Sequence, residues 1–86
     1  GTYKIRLFCS TIQANSGAER SKWKVSVDSV ETDFLLPTDF NPKNNLTQWL
    51  EQTVEVGEDG FSILWGVASS GSYIYVPLNI IDIEKI

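Results

Sequence analysis

One cysteine and no histidine leave this chain few ways to do covalent chemistry. Without imidazole, the commonest general base near neutral pH is missing. The lone thiol, Cys9, closes the stretch YKIRLFC (residues 3–9) on the same parity as Tyr3, Ile5 and Leu7. A cysteine so placed packs as a small hydrophobe, with no basic or helix-terminal neighbour to lower its pKa. One thiol and no imidazole also make a poor transition-metal set. The acidic stretches VETD (30–33) and GEDG (57–60) lack the alternating oxygen ligands of a calcium loop. No glycine pattern matches a phosphate-binding loop. The residues therefore predict a protein that is not an enzyme and uses no metal or cofactor.

What remains is recognition. The chain holds ten aromatic residues: three Trp, three Tyr and four Phe. Phe8, Tyr73 and Tyr75 fall on the side opposite their strands' aliphatic residues, where large apolar groups tend to mark a partner surface. Lys4, Arg6, Lys22 and Lys24 alternate on the outward parity of two N-terminal strands. If those strands are adjacent, a mixed basic and aromatic face results, able to dock a protein or stack on single-stranded nucleic acid. The net charge of −4 and pI near 4.5 favour the protein, because phosphate backbones call for a surplus of cations. The site expected from sequence is Phe8, Tyr73, Tyr75, Lys4, Arg6 and Lys24, assisted by the long 10–21 loop. A nucleic-acid or nucleotide binder is the first alternative, and a structural subunit presenting a sheet edge the second. Mild acidity and small size also suit an inhibitor that neutralises a basic site.

The elements that must hold these residues are mostly strands. KWKVSVD (22–28) repeats the alternation of 3–9, with Trp23, Val25 and Val27 inward. In VETDFLL (30–36) the apolar parity switches, which requires a tight turn or bulge at Asp28-Ser29. NPKNNLTQWLEQ (41–52) offers Asn41-Pro42 as a helix cap, or Asn45-x-x-Gln48 as a capping box, followed by Leu46, Trp49 and Leu50 on one helical stripe. TVEV (53–56) fits a last helical turn or a short strand equally. FSILWGV (61–67), ASSGS (68–72) and YIYV (73–76) read as a hairpin. The three Trp sit on the apolar parity of their elements, as core or its lining. Pro77 ends the ladder, Leu78-Asn79-Ile80 form a turn, and Ile81–Ile83 resume as a closing strand whose Asp82 and Glu84 face solvent. Asn45-Leu46-Thr47 matches a glycosylation acceptor, a chance match for a residue placed in a helix.

Residues 71–86, GSYIYVPLNIIDIEKI, resemble the last strand-turn-strand of a Src-homology-three domain through Val76-Pro77, Asn79 and Ile80-Ile81, with Leu64-Trp65 standing where that family has its tryptophan pair. The resemblance implies a barrel-like local architecture with Pro77 and Asn79 at a 3₁₀ turn. Ile80 and Leu64 replace the family's ligand-contacting Tyr and Trp, so its proline-rich peptide groove is not implied.

The expected fold is α+β: one domain over residues 1–86, with about five antiparallel strands in a curved sheet or partly closed barrel and one helix near 42–53. A chain of this size buries roughly 60% of its unfolded surface, enough for one core without staples. One unpaired cysteine and no apolar run long enough to span a bilayer point to a cytoplasmic protein without a membrane segment. The start Gly1-Thr2, in a chain without Met, reads as a trimmed terminus.

Overall fold

A computed structural model of the chain describes residues 1–12, 21–67 and 76–86. Its six strands are β1 (Thr2–Phe8), β2 (Ser21–Val27), β3 (Val30–Asp33), β4 (Trp49–Glu55), β5 (Ser62–Val67) and β6 (Ile80–Lys85). They form two three-stranded antiparallel sheets, ordered β4-β1-β6 and β3-β2-β5. Ile5, Leu7, Cys9 and Leu50 from the first sheet meet Trp23 and Val25 from the second in a single core, joined by Phe34 and Phe40.

The α+β expectation is overturned: the described residues contain no helix and no closed barrel. The segment 42–53 is a loop running into β4. Both capping bonds implied by its sequence nevertheless form. The Asn41 side-chain oxygen accepts from Lys43 N–H at 2.9 Å, and Asn45 Oδ1 accepts from Gln48 N–H at 3.0 Å. These bonds close local turns as well as they start helices. Asn44 then takes a positive φ of 57°, outside the helical region. Beyond Gln48 the alternation Leu50, Gln52, Val54, Val56 prevails, so TVEV belongs to strand and to its end. The supposed stripe is dispersed: Leu50 is fully buried, Trp49 faces the other way, and Leu46 is 85% exposed.

The parity switch at Asp28-Ser29 is a two-residue turn. Both residues have positive φ (50° and 66°), and Val27 pairs with Val30 across it. This handedness matches the twist of the flanking strands. An antiparallel pair closed by two residues sets odd positions against even ones, so Val25 faces Thr32 on the same side of the sheet.

Pro77 and Asn79 fix the corner between the sheets. Trp23 Nε1 donates to the Pro77 carbonyl at 3.0 Å. Asn79 donates its N–H to the Phe8 carbonyl at 2.9 Å and accepts from Ser10 N–H at 2.7 Å. β6 begins at Ile80, one residue before the expected closing strand. The second arm of the 61–76 hairpin, with Tyr73 and Tyr75, and most of the 10–21 loop lie outside the described residues; the described partner of β5 is β2.

Candidate functional site

β1 is central in its sheet, and its even residues face away from the core. Cross-strand register then builds the outer face row by row. Phe8 lies between Trp49 and Ile80, Arg6 between Glu51 and Asp82, and Lys4 between Thr53 and Glu84. The Phe8 and Trp49 rings sit 5.2 Å apart at 56°, a tilted aromatic pair. The Arg6 guanidinium lies over the Trp49 ring at 4.6 Å while its Nε donates to Asp82 at 3.2 Å. Lys4 Nζ pairs with Glu51 at 3.5 Å. The result is an apolar row across three strands, bordered by an ordered row of paired charges.

The expected site residues divide over two sheets. Phe8, Lys4 and Arg6 share the outer face of β1. Lys24 lies on β2, with Lys22, on the outer face of the other sheet. β1 and β2 are not neighbours, so no continuous basic face forms. Lys22 pairs with Asp33 at 3.9 Å and Lys24 with Glu31 at 3.4 Å. Each of these four cations thus has a carboxylate beside it. By side chains, the outer face of β4-β1-β6 carries two cations (Lys4, Arg6) against four carboxylates (Glu51, Glu55, Asp82, Glu84), and the Gly1 ammonium lies 3.7 Å from Glu55. Trp49 and Ile80 were missed by sequence reasoning. The helical stripe read from sequence takes in Trp49, although its alternation with buried Leu50 holds the strand signal.

No protein-family model, curated protein or solved structure matches this chain. The local geometry therefore carries the functional reading.

Among the described residues, catalytic groups do not gather. Cys9 is fully buried, and burial pushes its thiol up to about 12. Among the described residues no group of three His, Cys, Asp or Glu could hold a metal ion. An open cleft beside Tyr3, Val56, Gly57 and Phe61 contains Glu58 but no partner for acid–base work. No helix among the described residues is long and apolar enough to cross a membrane.

Cys9 gives a pH test. Its folded pKa of about 12 exceeds the reference of 9.0, so the native state holds the neutral thiol while the unfolded chain ionises first. This contribution is intact below about pH 9 and falls by about 1.4 kcal/mol per unit as pH rises towards 12. Denaturant titrations of wild type and Cys9→Ala should therefore converge above pH 9. A constant gap across that range would contradict the buried neutral thiol.

Proposed function

We propose that this chain is a non-enzymatic protein-docking domain whose contact surface is the outer face of β4-β1-β6. The supporting observation is the row Trp49–Phe8–Ile80, which crosses all three strands on the face turned away from the core. The row lies at one end of the sheet with paired charges beside it, and aromatic residues next to polar ones are common in recognition patches. The face's net negative charge favours a partner with a basic rim, as expected of a small inhibitor that covers a basic site. A buried, unpaired thiol suits a reducing, cytoplasmic setting. The nucleic-acid reading has less support, because Lys4, Arg6, Lys22 and Lys24 already have carboxylate neighbours.

The test is affinity capture from the native host with the wild-type chain and a Phe8→Ala/Trp49→Ala variant, followed by affinity measurement on the retained protein. A folded variant should bind it at least roughly 30-fold more weakly, the scale of a hot spot of about 2 kcal/mol. Undiminished binding by the variant would remove this face from consideration. Salt-sensitive retention of single-stranded nucleic acid would instead favour the alternative.

A further inference from the structure

We infer that the open edge of β6 is a strand-addition site for an extended segment of a partner protein in which aliphatic residues alternate with lysine or arginine. The inference rests on the reading of the chain as a protein-docking domain, but uses the backbone edge of β6 and not the Trp49–Phe8–Ile80 row.

β6 pairs with β1 along one side and, among the described residues, ends the sheet. The Ile86 N–H donates to the Thr2 carbonyl. Hydrogen bonding alternates along an antiparallel strand, so the even residues of β6 face β1. Ile81, Ile83 and Lys85 therefore turn their N–H and C=O groups to the open side. All six residues of the strand are exposed. Ile81 and Ile83 are 46% and 50% exposed, although the β1 residues opposite them, Leu7 and Ile5, are fully buried. The second sheet packs on Ile5 and Leu7 of β1 through Trp23 and Val25, while Ile81 and Ile83 stay half exposed. An added strand would extend the backbone ladder and place its own aliphatic side chains beside these isoleucines.

β5 also ends its sheet among the described residues and carries no charge to select a partner; β3 and β4 are less inviting than β6. β3 has only four residues, two of them acidic. β4 is bridged at Glu51 by Leu35. Short, charged or covered edges are the usual protections against strand addition; β6 is longer than β3 and, unlike β4, is not bridged among the described residues, and it has an isoleucine on each parity beside Asp82, Glu84 and Lys85.

Charge selects the occupant. On the outer parity β6 presents Glu84 and Asp82, the latter already joined to Arg6 at 3.2 Å. Lysine or arginine opposite them stabilises the pair, and like charges oppose it. A second copy of this chain meets that penalty: antiparallel self-pairings with long overlap set Asp82 against Glu84 or one of these acids against itself. A basic, aliphatic strand meets none.

The probe is a synthetic peptide alternating valine and lysine over the length of β6, titrated into the full chain, with a valine–glutamate peptide as control. The valine–lysine peptide should protect the amides of Ile81, Ile83 and Lys85 from hydrogen exchange and bind at least roughly tenfold more tightly than the control. Glu84→Lys should narrow or reverse that preference. Ile83→Pro should abolish binding with the fold intact, because the N–H it removes faces the open side. If Ile83→Pro does not fold, the charge reversal at Glu84 decides. Equal binding of both peptides, absence of protection at the three amides, or binding that survives a folded Ile83→Pro would overturn the inference. So would a dimer with these amides protected before any peptide is added. Failure of the peptide leaves the Phe8/Trp49 test standing, and failure of that test leaves the edge standing.

Discussion

Leu50→Ala is expected to destabilise the chain by about 2–5 kcal/mol, whereas Leu46→Ala should stay within about 0.5 kcal/mol of wild type. Leu50 is fully buried opposite Leu7 in the ladder between β4 and β1, at the centre of the shared core. Its truncation removes apolar contacts and leaves a cavity that the two sheets can only partly close. Leu46 is 85% exposed in the loop before β4. A helix over 42–53 would bring both leucines onto one buried stripe, four positions apart, and make both truncations damaging. Urea midpoints of the two variants therefore discriminate strand from helix. Comparable losses at both positions would contradict β4 as described here.

The second large effect is expected at Asn45, which is 7% exposed. Its Nδ2 donates to the carbonyls of Cys9 (3.1 Å) and Gln48 (2.7 Å), and its Oδ1 accepts from Gln48 N–H at 3.0 Å. Its own carbonyl accepts from Ser10 Oγ at 2.7 Å. One amide thus ties the end of β1 to the loop before β4. Asn45→Ala leaves three backbone groups without their partner and should be about 2–4 kcal/mol less stable. Asn45→Asp keeps the shape but turns a carboxylate towards two carbonyls, so at neutral pH it should lose at least as much. Protonation restores one donor, which raises the folded pKa of that carboxyl. The stability gap to wild type should then narrow as pH falls through that pKa. Thermal melts at neutral and mildly acidic pH measure this. A tolerant Asn45→Asp at neutral pH would mean that the amide is not the tie between the two segments. The same burial explains why Asn45-Leu46-Thr47 is a poor glycan acceptor in the folded chain.

The misassigned helix shows where local patterns stop being decisive. The Asn41 and Asn45 cap signals were real, and both bonds are present. A cap commits only the turn it closes. The choice between helix and strand for residues 49–55 was made by β1, which offers a seven-residue antiparallel ladder and a buried place for Leu50. Three apolar positions at helical spacing could not outweigh that. Lys4, Arg6 and Lys24 met a related limit: their outward parity was legible, and their separation onto two sheets was not. Of the site residues expected from sequence, Phe8, Lys4 and Arg6 are brought together, and Arg6 meets Asp82 across 76 positions of chain. Trp49 was hidden within the helix assignment.

By itself the sequence determined the facing of β1 and β2, a turn or bulge at Asp28-Ser29 and the break before the closing strand. Each follows from side-chain alternation or from residue-specific backbone limits, which act over a few neighbouring residues. Tertiary structure alone decided that β1 lies between β4 and β6, that 49–55 is a strand, and which aromatic residues share the outer face. Those outcomes depend on hydrogen-bonded ladders and a common core between segments distant in sequence. No local period records which strand becomes another's neighbour.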